Sequence, residues 1–260
     1  MRYILKPFQW IYCIYATVLF VLILLLLFPG VIVASFFGKI RGGNAIFKIC
    51  RIWADLWFPL VLIFPRRPFE APHDSSKQYI FIVNHTSLLD AALLPKAFRQ
   101  PVRPLGKVEL TRIPIFGFVY RKAIVPVDRG SAKNRALSIH ILKSIIKKGI
   151  SILIFPEGTF NDTDQPLKEF YNGAFRIAIE TQTPLKPVLF LDSYARMHCQ
   201  KIFSLSPGRC RIVYLDDIPV SGLTIADTER LKEKTYWIME EKLLEHRKQT
   251  RQRAGVSRQS

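Results

Sequence analysis

The sequence predicts an α/β domain, a mixed and largely parallel sheet covered by helices, behind an N-terminal hydrophobic helical membrane module. Three observations carry this. No charged residue occurs from Ile11 to Phe37. From Tyr79 onward, short apolar runs alternate with helical patterns, the rhythm of strands crossing over through helices. Two polar clusters follow directly on such runs: Asn84-His85-Thr86-Ser87-Leu88-Leu89-Asp90 after Tyr79–Val83, and Phe155-Pro156-Glu157-Gly158-Thr159 after Ile150–Ile154. Polar side chains gathered at the exits of buried strands are how an open α/β sheet builds a site.

The membrane module comes first. Val18 to Phe28 is almost entirely aliphatic, and about 20 apolar residues suffice to cross a bilayer. The run lacks the small-residue cleavage site of a secretory signal, so it reads as retained. A second apolar stretch, Ile52 to Phe64, is too short to span and contains Asp55 and Pro59. Cations flank the first run on both sides: Arg2 and Lys6 before it, Lys39, Arg41, Lys48, Arg51, Arg66 and Arg67 after it. Pro29-Gly30 permits a bend. These features favour a pair of helices that enters one leaflet and returns over a single span. The expected division is 1–68 membrane module, 69–248 main domain, 249–260 basic disordered tail.

A chain of 260 residues holds one sizeable domain and some membrane-facing structure. The 38 Lys and Arg exceed the 20 Asp and Glu, giving a net charge of +18 that asks for an anionic partner. The 49% hydrophobic content favours anionic lipid over nucleic acid, and no aromatic-basic stripe or recognition motif for nucleic acid is present. Cys13, Cys50, Cys199 and Cys210 show no C-x-x-C spacing, so neither a disulfide framework nor a metal site is indicated.

The elements follow in order. Tyr79–Val83 reads as a strand and Asp90–Phe98 as a short helix stopped before Pro101. Ile124–Val127 is a strand. Ser131–Lys148 is an amphipathic helix with Leu137, Ile141, Leu142, Ile145 and Ile146 on one face and Gly149 at its stop. Ser151–Phe155 is a strand, Ala174–Glu180 a helix, Leu185–Leu191 and Arg211–Leu215 strands, and Ala226–Lys248 a closing helix.

His85 with Asp90 at a strand exit suits an imidazole base and the carboxylate that orients it. The same residues fit a duller role, because Ser87-x-x-Asp90 ahead of an apolar run is also a helix capping box. The two are compatible: a first-turn carboxylate can bond one imidazole nitrogen and leave the other free. Pro156-Glu157-Gly158 alone would be a turn, but its strand-exit position raises it to a candidate site loop. Lys107, before Ile113-Pro114-Ile115-Phe116-Gly117, and Arg129, after Val125-Pro126-Val127, add cations that suit an anion, Arg by bidentate contact with phosphate.

These blocks, in this order, resemble the glycerolipid acyltransferase family, whose best-known members are the lysophosphatidate acyltransferases. The family's N-H-x-x-x-x-D matches Asn84, His85 and Asp90. Its second block matches Gly106 to Leu110, Pro114, Gly117 and Val125 to Arg129, and its third, F-P-E-G-T-R, matches Phe155 to Thr159. Its fourth matches Pro184-Leu185-Lys186-Pro187-Val188, and Gly173-Ala174-Phe175-Arg176 also fits. The resemblance covers roughly residues 75–220. It departs at Phe160, where the family usually has Arg, and at Phe170-Tyr171-Asn172, where it often has Lys.

The resemblance implies transfer of a fatty acyl group from an acyl carrier protein or coenzyme A thioester to the free hydroxyl of lysophosphatidate, giving phosphatidate. His85 would be the base and Asp90 its orienting partner, with backbone donors near the following helix start facing the oxyanion. Glu157, Gly158 and Thr159 would position the acceptor, and Lys107, Arg129 and Arg176 would hold its phosphate. It implies no metal or redox cofactor; the thioester is a substrate. The expected partners are anionic membrane lipids, the lysolipid acceptor and the anionic acyl carrier, with the catalytic domain on the cytoplasmic face of the membrane. The cations missing at Phe160 and Tyr171 leave two alternatives open: another lysolipid acceptor such as a mono-acylated amino-acid lipid, or a basic membrane-surface protein that keeps only the fold.

Overall fold

The structure, a computed structural model, describes residues 5–127 and 132–256. Helix α1 (Leu5–Ser35) and helix α2 (Gly43–Leu60) come first, joined through a π-turn at Gly38–Gly42. Strand β1 (Ile63–Arg66), β2 (Ile80–Val83), α3 (Leu89–Ala97), β3 (Val102–Lys107), α4 (Phe116–Ala123) and β4 (Val125–Val127) follow. Helix α5 (Ala132–Ile146), β5 (Ser151–Ile154), α6 (Gly173–Thr181), β6 (Leu185–Phe190), the short α7 (Ser193–Arg196), β7 (Gly208–Tyr214) and α8 (Thr228–Val256) complete the described elements.

The seven strands form one sheet in the order β1-β7-β6-β2-β5-β3-β4. β2 lies between β5 and β6, parallel to both, with Ile82 level with Ile154 and Pro187. β7 is antiparallel to β6, and β1 runs parallel to β7 at the edge. The central strands are buried on both faces, which explains why they read as continuous apolar runs.

Alternation along each strand sorts the core into two layers. Phe81, Val83, Leu153, Val188 and Phe190 face one side with Trp57 and Phe58 of α2 and Leu89 and Leu93 of α3. Ile80, Ile82, Ile152 and Ile154 face the other with Leu142 of α5, Phe175 of α6 and Met239 of α8. The helix after β2 therefore leaves to one face and the helix after β5 to the other, although the strands are neighbours. Such a divergence opens a crevice at their carboxyl ends.

α1 and α2 form an antiparallel hairpin. Trp57 Nε1 donates to Ala16 O at 2.8 Å and Trp53 Nε1 to Phe20 O at 3.2 Å. α1 touches the rest of the chain along its length, from Cys13 beside Leu205 to Phe28 edge-on to Phe118. Its outer face stays bare: Trp10, Ile14, Leu22, Leu26 and Val33 are exposed.

Several expectations need correction. The boundary after residue 68 falls beyond β1, so the stretch read as membrane module supplies the sheet's edge strand. α8 continues to Val256 through residues read as disordered tail. Contacts from its last turns, Arg247 to Asp164 O and Thr250 to Arg211, provide the long-range ties that composition does not reveal. β3 and α4 were not anticipated, because Arg103, Pro104, Pro114 and Gly117 interrupt the apolar pattern. Leu142 and Ile146 of α5 are buried, whereas Leu137 and Ile141 are exposed, so its apolar face is narrower than the periodicity suggests. Gly149 stops the helix as expected, at φ +76°.

Candidate active site

The crevice holds the two polar clusters side by side because β2 and β5 are adjacent. Asn84 ends β2. Its Nδ2 donates to Phe190 O at 3.1 Å and its Oδ1 accepts from Phe190 N at 2.8 Å, so the side chain imitates a β pair and clamps β2 to β6 where the backbones diverge.

His85 follows, with Nδ1 at 2.9 Å from Asp90 Oδ2. Asp90 is fully buried, and the same oxygen also accepts from the amides of Thr86 at 2.8 Å and Ser87 at 2.9 Å. The carboxylate therefore organises the turn and holds the imidazole at once; the two readings of Asp90 coexist. The His85 side chain keeps 18% exposure, and Nε2 has no protein partner among the described residues. An imidazole bonded through Nδ1 to a carboxylate is fixed in the tautomer whose Nε2 can take a proton.

The second cluster braces the first. Glu157 is 3% exposed, and its Oε1 accepts from the His85 amide at 2.8 Å while Oε2 accepts from the Lys168 amide at 2.9 Å. Burial pushes the Glu157 carboxyl up to about 7, against the pull of those two N–H donors. Asn161 completes the brace: its amide donates to His85 O at 2.6 Å, and its buried side chain ties Thr163 and Gln165 into the loop. His85 is thus held at both backbone polar groups by a loop on the next strand.

Gly158 takes φ +71°, and a Cβ there would lie 2.6 Å from the Tyr171 ring, so a side chain at this position is strained and has to displace that ring. Phe155 stacks on the His85 ring with centroids 4.0 Å apart, and Phe160 packs against the same ring, tilted, at 4.2 Å.

The remaining candidates divide. Thr159 is exposed beside Gly158. Glu157 is buried and braces His85 instead of facing an acceptor. Lys107 lies at the carboxyl end of β3, exposed, with Glu109 at 3.5 Å. Arg176 turns to Glu180 on its own helix, which also pairs with Lys143 of α5, so the structure does not direct it into the crevice. Arg129 lies outside the described residues. Of the backbone donors near the helix start after His85, the Thr86 and Ser87 amides are bonded to Asp90. Sequence reasoning missed the brace by Asn161 and the covering ring of Phe160; the only signal was their place in a polar loop at a strand exit. Among the described residues no group of three or more His, Cys, Asp or Glu side chains is placed to hold a metal ion.

Comparison with known proteins agrees with this geometry. The model of the Acyltransferase family matches residues 66–191. Over 162 residues, 61% of this chain and 56% of its relative, the chain is 27% identical to 1-acyl-sn-glycerol-3-phosphate acyltransferase alpha of Homo sapiens. It is 30% identical over 173 residues to an uncharacterized acyltransferase of Schizosaccharomyces pombe, covering 65% of this chain and 61% of that one. The matches thus span little more than half the length of these relatives. The crystal structure of the 1-acyl-sn-glycerophosphate acyltransferase of Thermotoga maritima superposes with a TM-score of 0.72 at 21% identity, over 95% of this chain and 98% of that one, and shares the fold. An imidazole held by a carboxylate at the joint of two strands lies inside the segment that the Acyltransferase family model matches, and over that segment the chain is similar to the 1-acyl-sn-glycerol-3-phosphate acyltransferases.

Proposed function

We propose that the protein moves a fatty acyl group from a coenzyme A or acyl carrier protein thioester to the free hydroxyl of lysophosphatidate, making phosphatidate at a membrane surface. The carrying observation is the His85 imidazole, fixed through Nδ1 to buried Asp90, with its side chain still partly exposed and Nε2 without a partner among the described residues. Nε2 takes the hydroxyl proton as the oxygen attacks the thioester carbonyl, and Asp90 stabilises the imidazolium. General-base help of this kind contributes roughly a hundred- to ten-thousand-fold. Thr159, exposed in the third-block loop, offers an amide and a hydroxyl to the oxyanion in place of the engaged Thr86 and Ser87 amides. Lys107 and Arg129 are the cations proposed for the acceptor phosphate. Purified protein is tested with both thioesters against a panel of lysolipids. Transfer to lysophosphatidate that disappears in His85→Ala is the expected result, and transfer that survives it refutes the mechanism.

One observation favours a second acceptor. The ring of Phe160 lies on the base, and Lys168, the nearby cation of that loop, is engaged by Asp162 and Phe160 O. An acceptor without phosphate, such as a mono-acylated amino-acid lipid, suits that surface, and the same panel decides.

The membrane reading rests on the hairpin. α1 is long and apolar enough to cross a bilayer by length and composition, yet it packs against the domain along its length while baring an apolar face. We read it as lying in one leaflet, with the domain on the cytoplasmic face, so that a lysolipid reaches His85 without leaving the bilayer. A cysteine introduced as Arg2→Cys is expected to label from the face of the catalytic domain in sealed vesicles. Labelling from the opposite face alone means a true span.

A further inference from the structure

Resting on the transferase reading, we propose that Phe160 keeps water off the base. The His85 ring has two faces and two nitrogen edges. Asp90 closes the Nδ1 edge, Phe155 stacks nearly parallel on the ring at an interplanar angle of 17°, and Phe160 packs against it at 46° with centroids 4.2 Å apart. Nε2, without a partner among the described residues, is the ring nitrogen left for a nucleophile. Phe160 is also held in place: Lys168 Nζ donates to its carbonyl at 3.0 Å, and the next residue, Asn161, donates its amide to His85 O at 2.6 Å. The backbone that carries the ring is therefore tied to the backbone of the base.

The chemistry gives this cover a purpose. A lipid hydroxyl and water attack a thioester by the same route. In each, the O–H proton passes to Nε2, an O–C bond forms, the C–S bond breaks, and the leaving sulfur takes the proton from the imidazolium. With the lipid the product is an ester; with water it is a free fatty acid, and the donor is wasted. The base cannot distinguish the two by proton affinity alone, so selectivity requires that water be excluded beside it. Phe160 is partly buried, with its inner side on the imidazole. It supplies an apolar approach along which a lipid chain is favoured and water is not.

The test uses the full-length protein with palmitoyl-coenzyme A and, in parallel, palmitoyl-acyl carrier protein. Thiol release without acceptor reports hydrolysis, and labelled ester formed with lysophosphatidate and the lysolipid panel reports transfer. Phe160→Ala is expected to raise the hydrolysis-to-transfer ratio by roughly tenfold or more as water enters. Phe160→Leu, which keeps an apolar cover, should return it to within about threefold of the wild type. Adding His85→Ala to Phe160→Ala should abolish both reactions, which places the leak at the base. A wild-type ratio in Phe160→Ala overturns the proposal. If melting curves show that Phe160→Ala does not fold, Phe160→Gln, which fills the place with a polar side chain, carries the test, and a wild-type ratio there overturns it equally. A wild type that acylates no lysolipid would count against the transferase reading; a working transferase whose ratio ignores residue 160 counts against this inference alone.

Discussion

Replacing Glu157 by Gln tests whether the third block acts as a brace under the base. The carboxyl is 3% exposed, and burial raises its pKa from 4.5 to about 7 in the folded protein. Between those values the folded state keeps a proton that the unfolded chain has released. This contribution to stability is therefore fully present below about pH 4.5 and is lost as pH rises through about 7. A displacement of this size corresponds to ~3 kcal/mol in all, of which ~2 kcal/mol falls between about pH 5.5 and pH 8.5. In Glu157→Gln that titration is absent. One of the two donors, the His85 or the Lys168 amide, then meets an NH2 group and loses its acceptor, which costs ~1–3 kcal/mol at every pH. At about pH 5.5 the variant should be less stable than the wild type by that amount, and by about pH 8.5 the gap should close or reverse. Urea unfolding in detergent followed by tryptophan fluorescence measures both proteins, and histidine titrations common to the two cancel in the difference. A gap that is the same at both pH values would refute the buried, proton-holding brace. Transfer should also fall in the variant, because the His85 amide loses part of its support.

Other outcomes follow from single contacts. Asp90→Asn should lose roughly a hundredfold or more in transfer rate with a melting temperature close to wild type, since all three donors converge on Oδ2 and an amide oxygen there can still accept them; near-normal activity would reduce Asp90 to a helix-start residue. Asn84→Ala leaves the Phe190 amide and carbonyl without their partner and should cost ~1–3 kcal/mol by chemical denaturation. Gly158→Ala should destabilise the protein by at least ~1 kcal/mol because of its positive φ, and adding Tyr171→Ala should relieve only the steric part of the loss. Deleting residues 1–62 should yield an insoluble domain in expression trials, not a soluble active one.

The parallel strands and the contact of His85 with Asp90 were legible because both are local. Tyr79–Val83 and Ile150–Ile154 are short apolar runs that end in polar clusters, and His85 and Asp90 sit within one turn of each other. What escaped depends on distant partners. Arg103 looks like a residue that ends a strand, yet it is 3% exposed inside β3, with its guanidinium on Asn44 Oδ1 at 2.7 Å and Ile40 O at 3.3 Å. Burial lowers its pKa to about 10. Nothing near residue 103 in the chain announces acceptors some sixty positions earlier. Glu157 likewise reads as an acceptor-binding carboxylate until the adjacency of β2 and β5 is known, because a motif gives identity and spacing but not which backbone amide a side chain will meet.

The same long-range logic binds the apolar hairpin to the chemistry. α3 carries Asp90 in its first turn, and its other end is capped from α2: Arg51 reaches Pro95 O at 3.3 Å, and Phe98 O and Arg99 O both at 2.7 Å. Lys96 of α3 pairs with Asp55 of α2. A cation on the last carbonyls of a short helix satisfies groups that the helix cannot satisfy itself and opposes fraying. Below that contact, Ala54, Phe58, Val61 and Ile63 are fully buried in the layer that also holds Phe81, Leu93 and Phe190. An anchor that merely tethered a finished domain would contribute no such core and cap no such helix. One face of the hairpin therefore completes the fold and steadies the helix bearing Asp90, while its other face remains apolar and bare.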